Sequence, residues 1–284
     1  MRIIVFGATG MVGQGVLQAC LLDETVVEVL VIGRSATGRT HPKLREIRRD
    51  DFADFSRIQA ELPGYDACLF CLGSSAVGMS ETDYRAITYD YTLAAAHALL
   101  DHSPDLVFCY VSGAGTDSTA TSRMMWARVK GETENALLAL SERTYMFRPA
   151  FIVPLPGTRA KTKAYVALYR VVTPLYPLLR RIIPDHVTTS LRLGKAMLAV
   201  IHGAVRERVL DTASINAAAG SRWTPSPSDL FDQSYGFGAD RDSRIGQTLR
   251  NACRGYVSLV VADARSIHLV PSSERRSRHR SHMR

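Results

Sequence analysis

The stretch that decides the fold is RIIVFGATGMVG, which covers Arg2–Gly13 near the start of the chain. It joins an apolar run, typical of a buried strand, to a series of glycines at every third position. Gly7 permits a tight turn, Gly10 lets a phosphate approach the backbone, and Gly13 allows a helix to pack closely. The stretch therefore predicts a strand, a turn and a helix whose N-terminal N–H groups face a dinucleotide pyrophosphate. The predicted loop consists of Gly7, Ala8, Thr9, Gly10, Met11, Val12 and Gly13.

Strand-like and helix-like segments alternate along the following chain, which indicates βαβ units and a parallel sheet covered on both faces. The predicted strands are Ile3–Phe6, Val26–Ile32, Leu44–Arg48, Ala67–Leu72, Leu106–Ser112 and Tyr145–Arg148. The clearest predicted helices are Val12–Leu22, Glu81–Leu100 and Ser122–Leu140. The fold class is therefore α/β, a doubly wound parallel sheet of the Rossmann type. A small C-terminal substrate lobe is expected at about 150–206, with helices around Lys163–Val172 and Ser190–His202.

Composition favours a globular protein. The chain has 284 residues, of which 46% are hydrophobic and 22% are charged, so it can bury a real core. The longest apolar stretch, Val166–Ile183, is interrupted by arginines and prolines, and no membrane span is predicted. The stretch Lys161–Ile183 is expected to line a pocket or cover the sheet, with contact to an anionic membrane as the alternative. Five cysteines and no recognisable signal peptide predict a cytoplasmic protein.

The excess of positive charge is concentrated in a C-terminal tail. Residues 1–219 carry 24 Lys and Arg against 21 Asp and Glu, whereas residues 220–284 carry 11 against 6. The tail is rich in Arg and Ser and contains no lysine. We therefore predict an NAD(P)-binding domain at 1–219 and a basic, weakly ordered tail at 220–284. Nucleic acid is not an expected partner apart from binding by this tail.

The residue that follows the second predicted strand favours NADP(H) over NAD(H). An NAD-specific site places an Asp or Glu there to bind the ribose 2′-hydroxyl, but this chain has Arg34. Arginine offers a planar charged fork to a 2′-phosphate, and Arg39 is placed to assist. The alternative is that Arg34 is an ordinary surface arginine at the end of a strand. Asp51 and Phe52, after the third predicted strand, are expected to flank the adenine.

Four stretches resemble the short-chain dehydrogenase/reductase superfamily, specifically its atypical branch of Tat-interactive tumour-suppressor-like oxidoreductases and NAD(P)H-binding epimerase-like proteins. The stretches are Gly7–Gly13, Cys71-Leu72-Gly73-Ser74, Val111-Ser112-Gly113-Ala114 and Val129-Lys130-Gly131-Glu132. The resemblance covers about 1–219 and implies that Cys71, Leu72 and Gly73 also line the cofactor site. It further implies that a Ser, a Tyr and a Lys perform the chemistry, the last two as Y-x-x-x-K on one helix.

The expected tyrosine is missing from this constellation. Ser112 and Lys130 match the superfamily pattern, but Trp126 occupies the tyrosine position, one helical turn before Lys130. An indole N–H donates a hydrogen bond but exchanges no proton at ordinary pH, so Trp126 cannot be the general acid. Tyr110 lies on the same side of its strand as Ser112 and is a candidate replacement, although a buried core tyrosine is the favoured interpretation. Trp126 is expected to stack on nicotinamide or to form a pocket wall.

Two functions follow from these residues. The first is an NADP(H)-dependent oxidoreductase or epimerase-like enzyme on a small carbonyl or sugar-like substrate, with Lys130 on the ribose and Ser112 polarising the substrate oxygen. The second is a regulatory or scaffold protein that binds NADP(H) without turnover. The histidines and cysteines show no metal-ligand spacing, and no metal is expected. Homodimers are common in the superfamily, so the resemblance implies a homodimer as a candidate assembly.

Overall fold

The computed structural model describes residues 1–155 and 184–220. Its main sheet has seven parallel strands in the order β3-β2-β1-β4-β5-β6-β9, and β7 and β8 form a separate parallel pair. The strands are β1 (Arg2–Phe6), β2 (Glu28–Gly33), β3 (Leu44–Arg48), β4 (Ala67–Phe70), β5 (Val107–Val111), β6 (Thr144–Arg148), β7 (Phe151–Val153), β8 (Val187–Thr189) and β9 (Val209–Asp211). The predicted doubly wound α/β fold is confirmed.

Helices lie between the strands. They are α1 (Met11–Leu22), α2 (Glu81–Arg85), α3 (Tyr91–Leu100), α4 (Met125–Leu140), α5 (Ser190–Ile201) and α6 (Thr212–Gly220). A π-helical turn at Ala86–Asp90 joins α2 to α3, so the predicted helix over Glu81–Leu100 is continuous. Short 3₁₀ helices occupy Ser56–Glu61 and Pro184–His186. None of the helices in the two described ranges is long and apolar enough to cross a membrane.

The strand order places a topological switch point between β1 and β4. From β1 the chain winds outward to β2 and β3, then returns across β1 to β4 and continues the other way. Ligands of such sheets bind in the crevice that opens at the carboxyl ends of the strands at this point. The carboxyl end of β1 leads directly into Gly7–Gly13, so the predicted phosphate loop lies at the switch point.

Two apolar layers cover the sheet. On one face, Val16 and Leu17 of α1 pack with Leu193 and Met197 of α5, all of them fully buried. The two helices approach closely because glycines stand at the contact. A Cβ on Gly194 would lie 2.7 Å from the Cβ of Ala19, too short for any real contact. This packing fixes the position of α1 and therefore of the loop before it.

The opposite face holds an aromatic layer. Phe6 contacts Phe70 at a ring-centroid distance of 5.1 Å, and Phe70 stacks on Phe108 at 5.9 Å. Leu99 of α3 and Leu137 of α4 close this layer. Cys68 lies on this face whereas Cys71 packs against the other, as expected for residues three apart on an extended segment.

The sequence missed the short strands and misplaced one helix start. Segments β7, β8 and β9 are each three residues long, too short for a periodic pattern. Helix α4 begins at Met125 instead of Ser122, because the Asp117 carboxylate accepts the N–H groups of Thr121 and Ser122 and holds them in a loop. Thr189 caps helix α5, since its hydroxyl accepts the N–H of Arg192 at 3.1 Å.

Parts of the predicted C-terminal organisation lie outside the described residues. The helix predicted around Lys163–Val172, the stretch 161–183 and the tail from 221 onward belong to this group. Within the expected lobe, the described segments are the β7–β8 pair and α5, which packs on α1. The lobe at about 150–206 and the domain boundary at 219 stay predictions.

Candidate functional site

The loop after β1 is open in front of the first turn of α1. The Gly10 N–H donates to the Gly7 carbonyl at 2.9 Å, and the Gln14 side-chain amide donates to the Thr9 carbonyl at 3.0 Å, which together fix the loop. Helix α1 begins at Met11 with Gly10 as its cap residue, and no side chain caps it. The first N–H groups of a helix have no partner within the helix, so these donors are available to a phosphate.

Two glycines of the loop leave no room for a side chain. Gly7 has φ +72°, and a Cβ there would lie 2.6 Å from the backbone of Cys71 and Leu72. A Cβ on Gly13 would lie 2.1 Å from the Gly7 carbonyl oxygen. Both positions therefore require glycine, for the two reasons that the sequence predicts: a tight turn and close helix packing.

The loop, the end of β2 and the end of β4 line an open cleft. Its lining includes four loop residues together with the predicted Cys71, Leu72 and Gly73. Burial raises the pKa of the Cys71 thiol to about 12, so this group is a neutral thiol at ordinary pH. Arg34 is exposed at the rim of the cleft, next to Ser35. Met11, Val12 and Gly13 belong to the start of α1 and do not line this cleft.

The predicted adenine-flanking pair is split between surface and core. Asp51 is exposed, and its carboxylate accepts the N–H of Ala53 at 2.8 Å. Phe52 is only 2% exposed and contacts Phe6 and Tyr91 in the aromatic layer. The Phe52 ring therefore stabilises the core and is not placed to stack on an adenine. Arg39 donates to the Gln18 side chain, which ties it to α1.

Ser112 follows β5 at the carboxyl edge of the sheet and is partly exposed. Its Oγ lies 2.5 Å from Oε1 of Glu134 and 3.1 Å from the Phe147 carbonyl oxygen. Both neighbours are acceptors, so the single hydroxyl proton is donated into the protein. The expected role of Ser112 in polarising a substrate oxygen requires this hydrogen bond to break.

Glu134 is a site residue that the sequence reasoning missed. Its side chain is 1% exposed and forms an ion pair with Arg148, whose Nε lies 3.0 Å and 3.1 Å from the two carboxylate oxygens. Arg148 also donates to Ser118 Oγ at 2.6 Å. The available signal was the position of Glu134, four residues after Lys130 and therefore on the same inward face of α4.

Lys130 lies beside Ser112, as the resemblance implies. Its Nζ donates to the Ser112 carbonyl oxygen at 2.8 Å and stands 5.7 Å from the centroid of the Tyr110 ring. Burial lowers the pKa of Lys130 to about 8, while the nearby Glu134 carboxylate opposes that shift. Lys130 is therefore a cation whose charge responds to small changes in its surroundings near neutral pH.

Trp126 stands one turn before Lys130 and is partly buried. Its ring packs over Gly115, where a Cβ would lie 3.1 Å from Cη2 of the indole. Tyr110 is 1% exposed in the aromatic layer, and burial raises its pKa above the usual value. The interpretation of Tyr110 as a core residue is confirmed, and this tyrosine does not replace the missing acid. Within 1–155 and 184–220, no group of three potential metal-ligating side chains was found.

No protein-family model matches the chain. Among curated proteins, the mitochondrial protein fmp52 of Aspergillus clavatus is 28% identical over 179 residues, which cover 60% of this chain and 74% of the relative. The mitochondrial protein fmp52-1 of Aspergillus oryzae is 29% identical over 175 residues, covering 59% and 72%. Leucinostatins biosynthesis cluster protein T of Purpureocillium lilacinum is 25% identical over 233 residues, covering 69% and 83%.

These names correct one prediction. Several of the relatives are named as mitochondrial proteins, at about 27% identity, and this conflicts with the cytoplasmic location predicted from the sequence. That prediction is wrong on this comparison. It rested on the cysteine content and on the lack of a secretory signal peptide, and neither feature separates the cytosol from an organelle.

Solved structures share the fold at low sequence identity. An oxidoreductase of the short-chain dehydrogenase/reductase family from Burkholderia thailandensis has a TM-score of 0.56 and 16% identity, covering 75% of this chain and 92% of that one. The enzyme WbmF of Bordetella bronchiseptica, solved with NAD⁺ and UDP, has a TM-score of 0.55 and 15% identity, covering 94% and 97%. A UDP-galactose 4-epimerase has a TM-score of 0.53 and 17% identity, covering 74% and 75%.

The strand order, the glycine loop and these neighbours agree. The chain has the fold of the short-chain dehydrogenases/reductases and of nucleotide-sugar epimerases, so the resemblance predicted from its four sequence stretches is confirmed at the level of the fold.

Proposed function

We propose that this protein binds NADP(H) in the cleft at the switch point and acts as an oxidoreductase or epimerase-like enzyme on a small carbonyl or sugar-like substrate. The observation that carries the proposal is the loop after β1. The backbone around Gly7 and Gly13 leaves no room for a Cβ, and the uncapped start of α1 faces this loop. A pyrophosphate supplies the anion that such a helix start stabilises. WbmF, which shares the fold, was solved with NAD⁺.

The choice of NADP(H) rests on the charge of the cleft. Its lining within the described residues includes Arg34 and contains no Asp or Glu. A 2′-hydroxyl would therefore find no carboxylate acceptor there, whereas a 2′-phosphate would find an exposed guanidinium. Asp51, which is exposed after β3, is proposed to contact the adenine.

The remaining residues hold and enclose the reacting end of the cofactor. Lys130, anchored on the Ser112 carbonyl, is proposed to bind the nicotinamide ribose with its other N–H groups. Trp126, held over Gly115, is proposed to form a wall of the nicotinamide pocket. The bound cofactor would supply hydride transfer, and the protein would supply position and exclusion of water.

Calorimetric titration of the full chain with NADPH and with NADH tests cofactor choice. We expect micromolar NADPH binding and at least tenfold weaker NADH binding. Arg34→Ala should weaken NADPH by roughly 10- to 100-fold, the value of a charge-assisted contact, with little effect on NADH. Arg206→Ala is the matched control, because Arg206 is an exposed arginine that lies far along the chain from the cleft residues. It should leave both affinities unchanged. No binding of either cofactor would refute the proposal, and equal affinities would refute the role of Arg34.

Trp126 supports a second candidate, a regulatory or scaffold protein that binds NADP(H) without turnover. Tyr110, whose ring lies beside Lys130, is buried in the aromatic layer and does not supply the missing acid. NADPH oxidation against a panel of carbonyl compounds separates the two functions. Wild-type activity that Lys130→Ala abolishes supports the enzyme, whereas activity that appears only in Trp126→Tyr supports the second candidate.

A further inference from the structure

Two acceptors inside the protein set the direction in which the Ser112 hydroxyl donates its hydrogen bond. A serine hydroxyl has one proton to donate and two lone pairs that accept. The two groups within hydrogen-bond distance of Ser112 Oγ are the Glu134 carboxylate and the Phe147 carbonyl, and neither of them donates. The proton therefore points into the protein, and a ligand that reaches Ser112 Oγ meets a lone pair.

The ion pair with Arg148 keeps Glu134 an acceptor. Arg148 contacts both carboxylate oxygens, and Ser118 Oγ in turn accepts from the Arg148 guanidinium. A carboxylate that accepts from a guanidinium on both of its oxygens offers Ser112 an acceptor. Strands β5 and β6 are neighbours in the main sheet, and helix α4 carries Glu134. These three elements fix the arrangement.

We infer that Ser112 accepts a hydrogen bond from its ligand, so that the site prefers a hydroxyl compound over the corresponding carbonyl compound, and that Glu134 is the positioning residue that sets this preference. The inference rests on the proposed function, because it assigns the substrate class at the same site. An alcohol donates to Ser112 while the bond to Glu134 stays intact. A ketone requires the hydroxyl to rotate and to give up a charge-assisted hydrogen bond for a neutral one.

Binding of an inert alcohol–ketone pair tests this preference. The probes are 1-methylcyclohexanol, which has no hydrogen on its carbinol carbon, and cyclohexanone, so neither reacts with NADP⁺. Calorimetry with the full chain saturated with NADP⁺ should give at least tenfold tighter binding of the alcohol. Ser112→Ala should remove most of this difference, because it removes the acceptor. Equal or tighter binding of the ketone to the wild-type complex would overturn the inference.

Two glutamate variants on helix α4 separate positioning from general charge. In Glu134→Gln the side-chain amide can donate to Ser112 and release the hydroxyl proton, so the preference should fall at least threefold or reverse. Glu132→Gln is the matched control: Glu132 lies two residues earlier and pairs with Arg85, and its loss should leave the preference unchanged. Circular dichroism checks that each variant is folded. A folded Glu134→Gln with unchanged preference contradicts the role of Glu134.

Neutron diffraction from deuterated crystals of the full chain tests the polarity without any ligand. We expect the Ser112 Oγ deuteron on the line to Glu134 or to the Phe147 carbonyl. A deuteron that points away from both of these acceptors refutes the inference, whatever the binding results. If NADP⁺ fails to bind, the proposed function fails, while the neutron map still decides the polarity of Ser112.

Discussion

Removing Arg148 is expected to destabilise the protein more than neutralising its partner Glu134. The two side chains differ in exposure, 22% for Arg148 and 1% for Glu134. Arg148→Met leaves a carboxylate buried without its counter-charge, which costs about 3–5 kcal/mol of the free energy of unfolding. Glu134→Gln leaves a guanidinium that still reaches water, so the loss is that of charge-assisted hydrogen bonds, about 1–3 kcal/mol. The double variant should be less destabilised than the sum of the two by at least about 1 kcal/mol.

Urea unfolding at 25 °C, followed by circular dichroism, measures these differences. Arg128→Met is the matched control, because Arg128 lies on helix α4, which also carries Glu134, and its side chain is 25% exposed, similar to the 22% of Arg148. Its partner Glu81 is 51% exposed, so breaking that pair should cost at most about 1 kcal/mol. An Arg148→Met variant that loses no more stability than Arg128→Met would refute the reasoning from burial. So would a loss in Glu134→Gln that exceeds the loss in Arg148→Met.

Two further predictions concern the loop and the lysine. Gly13→Ala should lower the free energy of unfolding by about 1–3 kcal/mol, because its Cβ would lie 2.1 Å from the Gly7 carbonyl; Gly73→Ala, which has no atom within 4 Å of its Cβ, should be neutral in the same urea assay. Lys130 has a pKa of about 8 in the folded protein, below its ordinary 10.5, so at this group the unfolded chain binds more protons between these values and its contribution to stability should rise with pH from 8 to 10.5. The buried Cys71 thiol, whose pKa is raised, contributes in the opposite direction above pH 9 in both the wild type and Lys130→Met. At 1.36 kcal/mol per pH unit the change in unfolding free energy from pH 8 to pH 10 should be more positive in the wild type than in Lys130→Met by at most about 3 kcal/mol.

The local sequence pattern was enough to predict the glycine loop and most strands and helices of the main sheet. The turn at Gly7 and the close packing at Gly13 depend on backbone geometry within a few residues, and the sequence shows both. Buried strands and amphipathic helices repeat with fixed periods, so the first six strands of the main sheet were predicted with small errors at their ends. The placement of Lys130 beside Ser112 followed from the superfamily resemblance and from helix spacing.

The surroundings of individual side chains were harder to predict from the sequence. Phe52 was predicted at the cofactor, but the packing of Phe6 and Tyr91 around it makes it a core residue. Strand β9 pairs with β6 over only three residues, and its place in the sheet depends on the β6 edge that it meets. A local sequence pattern predicts neither the burial of Phe52 nor the pairing of β9, because each depends on which distant segment packs beside it.

The sequence by itself therefore determined the α/β sheet, the glycine loop after β1 and the helix that carries Trp126 and Lys130. Only the tertiary structure decided where the Ser112 proton goes. Its acceptors are Glu134, 22 residues away, and the Phe147 carbonyl, 35 residues away. The partner of a hydrogen bond is selected by the packing of separate elements, and the chain between them carries no periodic signal of that contact.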